Sequence, residues 1–140
     1  MDGYNKWRKK RLGIFVLAAI LGLVSVTVPP LLNTGTKYYN SPLFPWVVTG
    51  IENLSLSTIG FLFLSGMLLG LLCPEHPWLL GLGTMALFPI LSLIEMVVDS
   101  SSHNLLPFEL FLYMFMTVPG IIGAYIGSFL KRRFVKSNNA

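Results

Sequence analysis

Charged side chains are scarce in this sequence. Only 11% of the 140 residues are Asp, Glu, Lys or Arg, whereas an ordinary soluble domain carries about 25%. Apolar residues fill 54% of the chain, a balance that suits lipid better than water. Because the length allows one domain and the composition leaves no room for a soluble one, we predict a single transmembrane domain over residues 1–140.

Cysteine is nearly absent, since Cys73 is the only one. A lone thiol excludes an intramolecular disulfide and leaves no set of ligands with the spacing of a zinc site. We therefore expect no metal and no cofactor. Glu75 and His76 stand close to Cys73, but the flanking prolines favour a rigid turn and no oxyanion-hole motif accompanies the three residues. We predict that the chain is not an enzyme.

Long apolar runs are what the sequence has in abundance. A helix that crosses the bilayer needs about 20 mostly apolar residues, and four runs without Lys or Arg meet this requirement. They predict an all-α membrane protein, an antiparallel bundle of four transmembrane helices, at residues 12–32, 50–72, 78–98 and 108–130. The first run is too long for a signal peptide and lacks an A-x-A-like cleavage site, so we expect it to be retained.

Basic residues lie almost entirely at the two ends of the chain. Nine of the ten Lys and Arg come before residue 12 or after residue 130, and Lys37 is the exception. Basic flanks favour the cytoplasmic side of a membrane and contact anionic headgroups. We therefore predict an integral protein of the plasma membrane with both termini cytoplasmic. The lipid bilayer is its expected partner, and nucleic acid is not.

The segment 41–48 does not fit the pattern of spans and loops. It is too apolar for a free loop and too short to cross the bilayer, so it either lies in the interface or re-enters the membrane. Tyr38 and Trp46 fit an aromatic belt at the outer headgroup level. The sequence from Thr49 to Glu52 then matches a capping box, which marks a helix start, and we begin the second helix there.

Glycines recur at four-residue spacing in two of the predicted helices. The pairs are Gly66 and Gly70 in the second helix and Gly123 and Gly127 in the fourth. Such stripes let helix backbones approach closely, which is a main source of helix association in lipid. They predict packing among the four helices. The alternative is a face for a homodimer or for another membrane protein.

Pro89 and Pro119 lie near the middle of the third and fourth predicted helices. Each proline lacks an N–H and frees the carbonyl four residues earlier, at Met85 and Phe115, so we predict two helix kinks. Nearby hydroxyl groups or local adjustments of the helix can compensate for the lost bonds. The hydroxyl groups in question belong to Thr84, Ser92 and Thr117. Alternatively, two kinks at one depth could line a polar pathway.

Four ionisable residues follow one another around the predicted outer end of the third helix. They are Glu95, Asp99, His103 and Glu109, which we name the outer acidic cluster. Glu95 and Asp99 would share a helix face if the helix reached Asp99. Together these groups could hold a divalent cation, attract a cationic substrate or share a proton. The cluster is our candidate polar and cation site, and a hydrated loop is the alternative.

Two functions remain open on these grounds. The glycine stripes and the absence of a charge at the predicted midplane favour a non-enzymatic scaffold or accessory protein that acts by helix packing. The alternative is a small dimeric transporter or channel that uses the outer acidic cluster.

Overall fold

The computed structural model describes the backbone of residues 2–99 and 106–137 and the side chains of residues 11–99 and 107–137. Six helices lie in this part of the chain. They are α1 Asp2–Leu31, α2 Pro45–Glu52, α3 Leu56–Leu72, α4 Pro77–Met85, α5 Leu87–Val98 and α6 Leu106–Ser137. The predicted all-α class is thus confirmed for the described residues.

Three helical stretches of the described chain are long and apolar enough to cross a membrane. They are Arg11–Leu31, Pro77–Val98 and Pro107–Ser137. Helices α2 and α3 pass the same test only as a pair, and they are bent by 109° at the break between them. The chain therefore has three such spans, or four if the bent pair counts as one, which is consistent with an integral membrane protein.

The second predicted helix, residues 50–72, is two helices in the structure. Helix α2 already begins at Pro45, where a missing N–H is tolerated because the first helical position needs no such bond. It ends at Asn53, whose side-chain amide donates to the carbonyl oxygens of Lys37 and Thr49, both at 2.8 Å. Asn53 therefore ties the end of α2 to the preceding loop, and the chain turns before α3.

The start of α3 corrects the predicted capping box. Ser55 stands at the N-cap with an extended backbone, and its N–H donates to Thr58 Oγ1 at 3.4 Å. Thr49 lies inside α2 instead, where its buried hydroxyl accepts the N–H of Tyr39 at 3.1 Å. The prediction of a helix start at Thr49–Glu52 is wrong, because Thr49 anchors the loop before α2.

The two prolines behave differently. The third span is interrupted at Ala86, whose N–H donates to the carbonyl of Gly83, three residues earlier, at 3.3 Å. Pro89 therefore falls in the first turn of α5. A first helical turn tolerates proline. Pro119 lies inside α6, which continues from Leu106 to Ser137 without a break.

The hydroxyl groups near the prolines bond elsewhere. Thr84 Oγ1 donates to the carbonyl of Gly81 at 2.7 Å, and Thr117 Oγ1 donates to the carbonyl of Met114 at 2.6 Å. Ser92 is paired with Tyr113. The expected compensation at the two freed carbonyls is therefore not made by these groups, because a threonine hydroxyl reaches back only to its own preceding turn.

Two clusters of buried apolar side chains form the core. The first contains Val26, Leu62, Met85, Phe88, Tyr113 and Met116. The second contains Ala18, Leu69, Leu80 and Ala124. The chain runs from the second cluster to the first along α1 and along α4 and α5. It runs from the first cluster to the second along α3 and α6. The two sets of helices therefore run in opposite directions, and α3 lies parallel to α6.

Candidate functional site

The four glycines of the predicted stripes meet at one interface, between α3 and α6. A Cβ atom built on Gly66, Gly70, Gly123 or Gly127 would lie 2.0 or 2.1 Å from a backbone carbonyl oxygen of the other helix. Atoms cannot approach so closely, so only glycine allows the two backbones to pack at this distance. All four are buried within the chain. These glycines consequently do not form an exposed face for a second protein.

Further close contacts involve glycines that the sequence reasoning missed. A Cβ on Gly22 would lie 1.5 Å from the carbonyl oxygen of Thr84, and one on Gly81 would lie 2.5 Å from the backbone of Ile121. The signal for Gly22 was present, since Ala18 and Gly22 form a small-residue pair at four-residue spacing. Gly81 has no such partner in its own helix, and only the fold indicates its role.

Gly60 is the exception on α3, because a Cβ built there meets no atom within 4 Å. It lies in a shallow cavity of about 400 Å³ between α3 and α6. The other residues that line this cavity are Leu56, Ile59, Phe63, Val118, Pro119 and Ile122. We name it the α3–α6 groove. Its lining is apolar throughout and includes one of the two predicted kink residues.

The outer acidic cluster is divided by the end of α5. Helix α5 stops at Val98, and Asp99 has an extended backbone with φ −136° and ψ 99°. The condition for Glu95 and Asp99 to share a helix face is therefore not met. Asp99 is half-buried, and its N–H donates to the carbonyl of Glu95 at 2.9 Å. His103 lies outside the described residues.

Glu95 is buried, with only 2% of its surface exposed. Burial of a carboxyl group is expensive unless other groups of the protein stabilise it. Ser92 precedes Glu95 by three residues, so both side chains lie on one face of α5. The alternative of a hydrated loop therefore does not describe Glu95, which belongs to the interior of the bundle.

A chain of hydrogen bonds joins α5 to α6 on this side. Ser92 Oγ lies 2.8 Å from the hydroxyl oxygen of Tyr113, and that hydroxyl lies 3.3 Å from Glu109 Oε2. The Phe88 ring packs beside Tyr113, with 5.9 Å between the ring centroids. Sequence reasoning included Glu109, named Ser92 only as a hydroxyl near a proline, and missed Tyr113. The four-residue spacing of Glu109 and Tyr113 on one helix was the available signal.

This arrangement defines what the site can do chemically. Within the ranges that the structure describes, no group of three or more His, Cys, Asp and Glu side chains is placed to hold a metal ion. The hydroxyl groups of Ser92 and Tyr113 can each donate and accept a hydrogen bond, and Glu109 can accept one. The site is thus a polar contact between two helices of the bundle.

Basic side chains cover the opposite end of α3. Lys131 Nζ donates to the carbonyl of Leu72 at 3.1 Å, and Arg132 Nη2 donates to the carbonyl of Pro74 at 2.7 Å. The last carbonyls of a helix lack partners within it and attract cations. The Lys131 contact therefore caps α3, the Arg132 contact holds the turn that follows it, and both connect this region to the last part of α6.

Comparison with known protein families, with curated proteins and with solved structures finds no match in any of the three. The class of protein therefore rests on the helices themselves, which are long and apolar enough to cross a membrane and are consistent with an integral membrane protein.

Proposed function

We propose that this chain is a non-enzymatic scaffold or accessory protein that acts by helix packing, and that a transmembrane helix of another membrane protein occupies the α3–α6 groove. The supporting observation is Gly60, which lines the groove and has open space where its neighbours on the same helix contact α6. Helices associate in lipid where a small residue lets them approach closely.

The α3–α6 groove has a shape that can accept a helix. Leu56, Ile59 and Phe63 border it on α3, and Val118 and Ile122 border it on α6. These two ridges leave a concave strip with Gly60 at its floor, into which side chains of a third helix can pack. The lining carries no charge, so the occupant is an apolar helix.

Site-specific crosslinking in the native membrane tests this proposal. A photoreactive residue in place of Ile122 should crosslink to one partner of defined mass. The matched control is Ile90 on α5, which does not line the groove; Ile122 is 49% exposed and Ile90 is 53% exposed. Gly60→Leu should abolish the crosslink at position 122, because the new side chain fills the groove.

Three outcomes contradict the proposal. Equal crosslinking at both positions would indicate random contact, and no crosslink at position 122 would indicate that lipid fills the groove. A product of twice the mass of the chain would identify a second copy as the occupant.

A second candidate function is a small dimeric carrier or channel that uses the outer acidic cluster. The observation that favours it is the buried Glu95 beside the bonded series Ser92, Tyr113 and Glu109. Ionisable groups inside membrane helices are costly and typically serve the passage of ions or protons. In this candidate, the polar contact between α5 and α6 is part of the route.

Reconstitution into vesicles tests the second candidate. Uptake of protons and of monovalent and divalent cations is measured for the wild type, Glu95→Gln and Asp99→Asn. A carrier or channel should give uptake above that of empty vesicles, and the variants should change it. Equal uptake by empty vesicles, wild type and both variants would contradict this candidate.

For the topology, we propose four spans, with α2 and α3 as a broken span, and both termini on the cytoplasmic side of the plasma membrane. The basic residues at the two ends support this orientation. Cys73, the natural single cysteine, then faces the cytoplasm. A membrane-impermeant maleimide should label it only after the cells are opened. Thr36→Cys in a Cys73→Ser background should be labelled in intact cells, and the reverse pattern would invert the topology.

A further inference from the structure

A cavity of about 240 Å³ lies between α1, the loop after α3 and the start of α4. We name it the boundary pocket. Within α1, the stretch that could cross a membrane includes Arg11–Leu31 and follows the basic residues near the N-terminus, and α4 and α5 form a second such stretch from Pro77. Because α1 and α4 run in the same direction, both spans start at the same end of the bundle. The pocket therefore lies where the bilayer meets water, whichever side of the membrane that is.

The boundary pocket carries charges of both signs. Arg11 and Glu75 both line it, together with His76. Within the part of the chain that the structure describes, neither Arg11 nor Glu75 forms an ion pair. Both side chains are exposed. Among the described side chains, the pocket thus presents the cation of Arg11 and the anion of Glu75 to a ligand.

The remaining walls of the pocket are apolar. Ile14 and Phe15 contribute from α1, and Leu79 and Leu80 contribute from α4. Phe15 is 36% exposed and Leu79 is 39% exposed, so a surface continues from the charged rim toward the interior of the bilayer. A ligand with a zwitterionic head and an apolar tail would match this sequence of surfaces.

We propose that the boundary pocket binds a phospholipid with a primary amine, that is, a phosphatidylethanolamine. The guanidinium of Arg11 binds the phosphate, for which its planar set of donors is well suited. The ammonium group of the lipid donates to the carboxylate of Glu75. One acyl chain lies along Phe15 and Leu79. This proposal is independent of the functions proposed above, because none of the residues that line the boundary pocket lines the α3–α6 groove or belongs to the outer acidic cluster.

Glu75 gives the pocket its selectivity. A primary ammonium has N–H groups that donate to a carboxylate, whereas the trimethylammonium of phosphatidylcholine has none. An anionic lipid such as phosphatidylglycerol would place no cation near Glu75. The three lipids share a phosphate and can share acyl chains, so they differ only in the group that Glu75 meets.

Native mass spectrometry of the purified full-length chain in detergent tests the proposal. The protein is mixed with equal amounts of phosphatidylethanolamine, phosphatidylcholine and phosphatidylglycerol that have identical acyl chains. The wild type should bind phosphatidylethanolamine about threefold more than either other lipid, a ratio typical of one exposed charge pair. Glu75→Gln should remove this preference, and Arg11→Gln should lower binding of all three lipids.

Matched controls separate the pocket from the general charge of the chain. Glu52→Gln removes an exposed carboxylate at the end of the bundle away from the pocket. Arg133→Gln removes a cation at the end where the pocket lies, but outside the pocket. Neither change should alter the preference. Glycerophosphoethanolamine, which has the headgroup without acyl chains, should compete poorly.

The proposal is overturned if the wild type binds the three lipids equally or prefers phosphatidylglycerol. It is also overturned if Glu75→Gln keeps the full preference, because the carboxylate would then not contact the amine. If glycerophosphoethanolamine competes as well as intact phosphatidylethanolamine, the headgroup binds alone and the acyl-chain contact is excluded.

Discussion

Helix α6 meets α3 and α5 in two different ways. Against α3 it packs backbone to backbone, with glycines on both sides and no room for a Cβ atom. Against α5 it makes far fewer contacts, and these include the hydroxyl pair of Ser92 and Tyr113. In lipid, apolar contact between helices gains little over contact with acyl chains, so close backbone packing and hydrogen bonds are the remaining sources of association. The α3–α6 interface relies mainly on close backbone packing, and the α5–α6 interface relies mainly on hydrogen bonds.

The difference separates a rigid part of the bundle from a less constrained one. The α3–α6 pair has one permitted geometry, because any rotation would bring a backbone carbonyl into contact with a side chain. A helix joined chiefly by side-chain hydrogen bonds can shift while those side chains change rotamer. We therefore expect α3 and α6 to keep a constant relative position, and we expect α5 to be the more mobile helix.

The largest expected effect comes from adding one methyl group to the rigid interface. Gly66→Ala places a Cβ 2.0 Å from the carbonyl oxygen of Gly120, so the helices must separate. We expect a loss of about 2 to 3 kcal/mol in the free energy of unfolding, the upper part of the usual range of about 1 to 3 kcal/mol for overpacking. The measurement is an SDS titration in mixed micelles.

Gly60→Ala is the matched control for this change, because it lies on the same helix with open space around its Cβ position. Alanine favours the helical state over glycine, so the free energy of unfolding should rise by up to about 1 kcal/mol. A similar loss at both positions would show that the close contact at Gly66 is not what holds α3 to α6.

A smaller effect is expected at the polar interface. Tyr113→Phe removes the hydroxyl that contacts Ser92 Oγ and Glu109 Oε2 but keeps the ring beside Phe88. Only the bond to Ser92 joins two helices, since Glu109 lies on α6 with Tyr113. Interhelical hydrogen bonds in membranes contribute about 0.6 kcal/mol on average, so we expect a loss of about 0.6 to 1 kcal/mol in the same titration.

A double-mutant cycle assigns this loss to its partner. If the two hydroxyls interact, Ser92→Ala should cost less in the Tyr113→Phe background than in the wild type, with a coupling of about 0.6 kcal/mol. Additive effects of the two changes would contradict a direct bond between them.

The smallest effect is expected when a hydroxyl is removed from the rigid interface. Ser128 Oγ donates to the carbonyl of Ala124 in its own helix at 2.7 Å and approaches the carbonyl of Gly70 at 3.4 Å. Backbone packing holds this interface, so Ser128→Ala should change the free energy of unfolding by less than about 0.5 kcal/mol. A loss as large as that of Tyr113→Phe would remove the distinction between the two interfaces.

Several local features needed the fold to be interpreted. The sequence from Thr49 to Glu52 has the residue types of a capping box, yet Thr49 bonds the backbone of Tyr39, ten residues earlier. The break after α2 depends on Asn53, which bonds Lys37 across the loop. Such contacts between distant residues do not appear in a local pattern, so the pattern predicted a helix start at the wrong position.

The candidate site was likewise only partly predictable. The composition of the outer acidic cluster was visible, but the burial of Glu95 depends on how α5 faces the bundle. Tyr113 looked like one more aromatic residue in an apolar helix, and its bond to Ser92 joins residues 21 positions apart. The glycine stripes were visible as well, whereas the choice between an internal and an external partner required the positions of both helices.

By itself, the sequence determined that this chain forms apolar helices long enough to cross a membrane, because the bilayer demands long uncharged runs with internally satisfied backbones, and such runs are a property of the linear sequence. The sequence also shows directly where the few ionisable groups lie along the chain. Only the tertiary structure decided which glycines face each other, where the second span bends and which carboxylate is buried. These outcomes depend on the distance between backbones and on which helix faces meet, and neither is written in the local order of residues.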